Sequence, residues 1–225
     1  MFVKRLPGAL REEAVQNEYG KAIVYVSDAF VFLPRHGNNP KSHILPHMIN
    51  HPANLKALKD LGVREVIGVN STGSLKINLK PGMMVVPDDF ISLAPPPTIF
   101  RSEPVHITPG LSEKIRRKWV EAAGKCGIEA VDGGVYWQTS GPRLETRAEI
   151  RFMSQIGDIV GMTMASEAVI AKELEMEYAS LCSVDNYAHG LAERALTMEE
   201  ILNNSRRNLD IVFKIVLKYL EGRQK

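Results

Sequence analysis

The stretch "PANLKALKDLGVREVIGVNSTGSL", residues 52–75, decides the fold class. Its first ten residues have the pattern of a helix, Gly62 supplies a C-terminal stop, and "EVIGV" (65–69) reads as a β-rich run. Helix, stop, strand and a polar exit therefore follow one another within 24 residues. The same alternation continues outward in both directions. Further candidate strands are "AIVYV" (22–26), "AFVFL" (29–33), "MMVVP" (83–87), "GVYWQ" (134–138), "DIVGM" (158–162) and "YASLCSV" (178–184). Candidate helices fall near 111–126, 145–156, 166–175 and 198–221, and Gly127 and Gly157 follow two of them as Gly62 does. No internal repeat, low-complexity tract or linker interrupts the series. The pattern predicts an α/β fold around a mostly parallel or mixed sheet, in one domain spanning 1–225.

Composition agrees with an ordinary globular domain: 225 residues, 44% hydrophobic, are enough to bury a core without staples. The 28 basic and 26 acidic residues leave a net charge of +2. Basic residues are scattered and not interleaved with aromatics, so nucleic acid is not an expected partner. Cys126 and Cys182 lie far apart, as buried thiols of a reducing compartment would, and a cytoplasmic protein is expected. "MFVKRLPGAL" has no apolar signal region and no window reaches the length of a membrane span. The last helix carries an apolar side (Ile201, Leu202, Leu209, Val212, Phe213, Val216, Leu217, Leu220) opposite Arg206, Arg207, Asp210, Lys214 and Lys218. Packing onto the domain explains it better than a membrane surface.

In open α/β sheets ligands collect beyond the carboxyl ends of strands. Four exits, "VNSTGS", "SGPR", "MTMASE" and "VDNYAHG", are rich in small hydrogen-bonding residues and suggest one composite polar site. "GVNSTGSL" (68–75) would turn the backbone N–H groups of Asn70, Ser71, Thr72 and Gly73 toward an anion, unless it is a plain turn. "PRHGNN" (34–39) sets Arg35, a bidentate partner for phosphate oxygens, beside His36, although a solvated strand end has the same look. In "MTMASEAVIAKELE" (162–175), Ser166 is a plausible N-cap and Glu167 a first-turn complement to the helix dipole. His43, His47 and His51 have helical spacing, but Pro46 and Pro52 interrupt that helix, so no metal is expected there.

Taken together the chain resembles the trimeric purine nucleoside phosphorylase and methylthioadenosine phosphorylase family from about residue 15 to 220. The resemblance rests on "RHG" (35–37), "VNSTGSL" (69–75), "LKPGMMVVPDDFI" (79–91), "SGPRLETRAE" (140–149), "GMTMASEAVIAKE" (161–173) and "YASLCSVDN" (178–186). It implies a single-domain α/β/α sandwich with a central mixed sheet. It also implies phosphorolysis, in which phosphate attacks the anomeric carbon of a purine nucleoside through an oxocarbenium-like transition state. Inorganic phosphate is then a co-substrate and no cofactor is needed.

The matching positions imply Arg35, His36, Asn70, Ser71 and Thr163 for phosphate, with Met162 against the sugar. His106 resembles the histidine that this family lends across a subunit interface toward the 5′ end of a neighbour's ligand, which implies a homotrimer or a dimer of trimers. The turn at 140–143, with Leu144 and Glu145, forms a wall of the purine pocket by the same resemblance. A carboxylate at Glu145 accepts the N1–H of a 6-oxopurine, whereas adenine has no proton there; a structural role at the helix start is the alternative. Asn186 falls where oxopurine enzymes carry asparagine, and its amide donates to N7 and O6 of the leaving base. A register shift by one residue would substitute Asp185, an aminopurine reader. Catalysis is assigned to Asn186 and His36. Met198 stands near the 5′ end, where an apolar side chain favours 5′-methylthioinosine over inosine or guanosine; a core residue at a helix start is the alternative.

One departure stands out. The family opens with a strand and a Gly-rich turn whose hydroxyl grips phosphate, and the only candidate here, "FVKRLPGAL" (2–10), has Pro7-Gly8-Ala9 instead. Proline removes an N–H from any anion nest. Three activities follow: a phosphorylase with a reduced phosphate site, a hydrolytic nucleosidase, or a nucleoside binder without catalysis.

Overall fold

The computed structural model describes residues 2–39, 42–95, 97–192 and 197–222. After a 3-10 turn at Phe2–Arg5, β1 (Arg11–Asn17) and β2 (Gly20–Val26) form an antiparallel hairpin in which Asn17 pairs with Gly20. Glycine fits that corner, since the backbone at Gly20 has φ +139. A short β3 (Val31–Phe32) completes a three-stranded sheet. The chain then runs through α1 (His51–Asp60), β4 (Glu65–Ser74), β5 (Met84–Val86), β6 (Asp89–Ser92) and α2 (Glu113–Lys125). It continues through β7 (Ala130–Asp132), β8 (Val135–Gln138), α3 (Arg147–Met153), β9 (Ile159–Gly161), α4 (Met164–Glu173), β10 (Glu177–Tyr187) and α5 (Met198–Glu221).

Seven strands form the central mixed sheet in the order β6-β8-β9-β4-β10-β5-β7. Its spine is the parallel pair of β4 and β10, in register from Glu65↔Glu177 to Ser74↔Tyr187. Residues alternate between two helical layers, as strand geometry requires. Val85, Tyr178, Cys182 and Val184 share a core with Leu55 and Leu58 of α1 and with Ala168 and Ile170 of α4. Met84, Val86, Ala179 and Leu181 share another with Ile115 and Trp119 of α2 and with Val212, Ile215 and Tyr219 of α5. The architecture is thus the α/β/α sandwich around a mixed sheet that the resemblance implied. Trp119 is fully buried; losing such a ring costs about 3–5 kcal/mol.

Several local expectations change. β1, β6 and β7 carry too little hydrophobic alternation to stand out, and only two residues of "AFVFL" pair. "VNSTGS" is no exit turn, because β4 continues through it to Ser74. Its backbone groups face a partner strand through the register Asn70↔Cys182, Ser71↔Ser183 and Thr72↔Val184, so it forms no anion nest. Ser166 is no cap: α4 begins at Met164, with Thr163 at the N-cap. On α5 the buried side is Val212, Phe213, Ile215, Val216 and Tyr219, whereas Leu202 and Leu209 remain exposed. Among the described residues no helix is long and apolar enough to cross a membrane.

Candidate active site

The sheet's mixed direction, not a shared row of carboxyl ends, builds the site. β9 runs antiparallel to β4 and pairs with it only at Gly73↔Val160 and Ser74↔Ile159. Past Gly161 the chain runs on along β4 in this antiparallel sense, and Thr163 meets Asn70. The exits of β8 and β9, parallel to each other, therefore face away from those of β4 and β10. The expected carboxyl-end cluster is replaced by a split between two antiparallel neighbours.

Three predicted anion ligands meet in that split. The Asn70 amide donates to Thr163 Oγ1 at 2.7 Å and Arg35 Nη1 donates to the same oxygen at 3.3 Å. With both lone pairs occupied, the Thr163 hydroxyl proton is left to donate outward. Arg35 Nη1 also donates to the Val69 carbonyl at 3.0 Å, and its Nε lies 2.7 Å from Glu167 Oε1. Burial disfavours the Arg35 charge, but Glu167 together with Tyr178, Tyr136 and Cys182 outweighs it and the pKa is raised. Thr163 heads a ten-residue helix; its Met164 and Ser166 N–H groups already donate to the Tyr136 hydroxyl and Gln138 Oε1, so the helix end adds the field of its dipole to the side-chain donors. Together they make a cationic, donor-rich cradle.

His36 adjoins Arg35 in sequence, and its ring stacks on His43 at 4.6 Å. Its Nδ1 lies 2.8 Å from the Ile44 carbonyl. A carbonyl only accepts, so Nδ1 carries the proton and Nε2 of the neutral ring is a lone pair. Burial, then Arg35 and His43, lower its pKa. Neutral His36 thus accepts a proton at Nε2 from a monobasic anion, and donates from that nitrogen only once protonated.

Ser71 does not join the cradle. Alternation along β4 sends it to the other face, where its hydroxyl donates to Asp185 Oδ2. Asp185 Oδ1 accepts from Asn208 of α5 at 2.7 Å, and the residue is fully buried. Both carboxylate oxygens are therefore engaged. The irregularity between Val184 and Asn186 in the β4 pairing is a bulge, which places Asn186 opposite Gly73. A Cβ on Gly73 would stand 3.1 Å from Asn186 Nδ2, so glycine leaves room for the amide. That amide donates to the Tyr187 carbonyl at 2.9 Å, and among the described residues no side chain engages it.

The base-facing elements lie next door, at the exit of β8. Gln138 pairs with Gly161, and Thr139 N donates to Gly161 O at 2.9 Å, so Met162 and Thr139 leave adjacent strands side by side. Glu145 is buried, and Thr139 Oγ1 donates to its Oε1 at 2.7 Å. Gln138 and Ser166 exchange two hydrogen bonds, of 2.6 and 3.1 Å, which tie this exit to the first turn of α4. Met162 packs against Gly141, where a Cβ would lie 2.5 Å from its sulfur. Leu144 is partly exposed beside Glu145. A cavity of about 290 Å³ opens there, between Trp137, Thr139, Glu145, Phe152 and Leu93; Arg35, Thr163 and Asn186 do not line it.

Two predicted residues stand apart. His106 is exposed on the irregular segment between β6 and α2. Met198 opens α5, and its side chain lies outside the described residues. The N-terminal segment docks on α5, with Arg5 2.7 Å from Asp210 and its guanidinium 4.3 Å over the Phe213 ring. Among the described residues no cluster of His, Cys, Asp and Glu is arranged to hold a metal. Sequence reasoning missed Glu167 and Tyr178 as members of the cradle. A carboxylate amid the small apolar residues of "MASEAVIA" was the available signal, since a buried charge needs a partner.

The sequence profile described as "Phosphorylase superfamily" matches residues 9–221. The chain belongs to the phosphorylase superfamily. It is 40% identical over 212 residues to a probable 6-oxopurine nucleoside phosphorylase of Archaeoglobus fulgidus, covering 92% of this chain and 86% of the relative. A probable S-methyl-5′-thioinosine phosphorylase of Methanocaldococcus jannaschii is also 40% identical, over 217 residues, covering 93% and 85%. Among solved structures, the superfamily fold recurs in methylthioadenosine phosphorylase from Schistosoma mansoni in complex with tubercidin. That match has a TM-score of 0.84 and 26% identity, and covers 96% of this chain and 86% of that one.

Proposed function

We propose that the protein is a purine nucleoside phosphorylase of the 6-oxopurine kind, releasing free base and sugar 1-phosphate. The observation that carries this reading is the Arg35, Asn70 and Thr163 cradle at the head of α4, one strand exit away from the buried Glu145 carboxylate. The cradle suits phosphate, and His36 suits its bound proton. Glu145 accepts a purine N1–H, and Asn186 donates to N7 and O6 as negative charge develops on the leaving base. Met162 covers the sugar. Engagement of both Asp185 oxygens by Ser71 and Asn208 favours Asn186 over its neighbour as the base reader.

The relatives at 40% identity, named for 6-oxopurine nucleosides and methylthioinosine, support the oxopurine reading above the 26% resemblance to an adenosine-type enzyme. The 5′ preference is for methylthioinosine, followed by inosine and guanosine. The chain acts as one domain in a cytoplasmic homotrimer or dimer of trimers, with the exposed His106 reaching a neighbour's site and no cofactor beyond phosphate.

The test is base release from inosine, 5′-methylthioinosine and methylthioadenosine, with and without phosphate, followed by chromatography of both products. Hypoxanthine with a sugar 1-phosphate, formed only when phosphate is present, is the expected result. Release without phosphate would identify a nucleosidase, and tight binding without release a nucleoside binder; either overturns the proposal.

A further inference from the structure

Arg35 is held from behind by groups that cannot themselves reach a ligand. Its Nε pairs with Glu167 Oε1 at 2.7 Å, and the other carboxylate oxygen accepts from the Tyr178 hydroxyl at 2.7 Å. Glu167 and Tyr178 are 6% and 2% exposed, so neither is open to a substrate. Nη1 is occupied by Val69 O and Thr163 Oγ1, which leaves Nη2 as the free edge of the guanidinium. The Arg35 side chain retains 17% exposure.

The opposite strand is shaped for the same purpose. A Cβ on Gly68 of β4 would lie 2.2 Å from the Tyr178 hydroxyl oxygen and 3.0 Å from Ser180 Oγ. Only glycine lets the tyrosine lie over β4 and reach Glu167. Ser180 in turn donates to Asn70 Oδ1 at 2.5 Å, which directs the Asn70 amide toward Thr163. Two chains of contact therefore converge on the cradle: Gly68, Tyr178, Glu167 and Arg35 on one side, Ser180 and Asn70 on the other.

We infer that Glu167, braced by Tyr178 through the space left at Gly68, is a positioning residue that fixes the phosphate-facing edge of Arg35; this rests on the phosphorylase reading above. The carboxylate fixes the plane of Arg35 before phosphate arrives, so little reorganisation accompanies binding. It stays out of contact with the nucleoside. Its loss consequently affects phosphate and spares the base and sugar.

The experiment is steady-state kinetics on Arg35→Gln, Glu167→Gln, Tyr178→Phe and the double variant Arg35→Gln/Glu167→Gln, with nucleoside affinity measured separately by equilibrium binding. Arg35→Gln and Glu167→Gln should each raise the KM for phosphate by about 30-fold or more, because one partner of a buried charge pair is lost. Tyr178→Phe removes one hydrogen bond to a charged group and should raise it by about tenfold. The double variant should be no worse than the worse single, since Glu167 acts through Arg35. Additive losses, equal weakening of nucleoside and phosphate, or an unchanged phosphate KM in folded variants would overturn the inference.

Tyr178→Phe, which deletes a single hydroxyl, keeps the test open if Glu167→Gln does not fold. Thermal stabilisation by inorganic phosphate separates this inference from the activity itself. If the wild type releases base without phosphate, the proposed reaction fails. Stabilisation of the wild type that weakens in Tyr178→Phe and disappears in Arg35→Gln would still support the positioning role, and its absence in the wild type would refute it.

Discussion

At the scale of single residues, the neighbours Asp185 and Asn186 carry the choice of base. Their difference lies in who already holds them: Asp185 is engaged on both oxygens by Ser71 and Asn208, while among the described residues Asn186 has only the backbone carbonyl of Tyr187. An amide with one N–H still open serves O6 of an oxopurine, and a carboxylate in its place would repel O6 and accept from an exocyclic amine. Asn186→Asp should therefore lower kcat/KM for inosine by about a hundredfold or more, the usual cost of losing a donor to a developing anion. The corresponding constant for adenosine should fall less or rise. The ratio of the two constants is the measurement, and an unaltered ratio would remove Asn186 from the base site. Asp185→Asn is the control: it replaces one of the two acceptor oxygens that meet Ser71 and Asn208 by a donor, and should cost stability while leaving the ratio alone.

At the scale of elements, α3 shows how a short helix holds Glu145 in place. Thr146 and Glu149 form a reciprocal capping box, and Arg143 grips Glu149 through two hydrogen bonds of 2.7 and 2.8 Å. Arg143 and the Thr146 backbone hold the Glu149 carboxyl down at about 2. The resulting clamp fixes residues 143–149 around Glu145. Thr146→Ala removes the cap and should cost about 1 kcal/mol, read as a fall in Tm of about 2–4 °C for a chain of this size. A loss of activity toward inosine larger than the loss of stability would place the clamp in substrate binding as well as in folding.

The helices were legible in the sequence because their apolar spacing and glycine stops are local signals, and α5 begins and ends where the pattern put it. The cradle was legible as residue types but not as geometry. Whether Ser71 faces phosphate or α5 depends on alternation along β4, and that could be read only once "VNSTGS" was known to continue the strand. Likewise Tyr178 and Gly68 lie 110 residues apart in sequence, and their fit across β4 and β10 leaves no short-range trace.

At the scale of the whole molecule, the dependence of stability on pH has an identifiable source beside the cradle. His51 opens α1, is 5% exposed, and its Nδ1 has no hydrogen-bond partner. Burial, opposed by Glu167 and reinforced by Arg35 and His36, lowers its pKa from 6.5 to about 4. Between those values the unfolded chain binds a proton that the folded chain refuses, so stability falls as pH drops through that window. A shift of this size corresponds to at most about 3 kcal/mol, or about 6–12 °C in Tm. His51→Phe replaces the unpartnered nitrogen by carbon and should flatten the profile between pH 7 and 4.5, leaving the part that His36, also lowered by burial, contributes. Thermal melts of both proteins across that range decide the matter. Curves that run parallel would show that His51 is protonated in the fold, and the acid sensitivity would then have to come from the carboxylates.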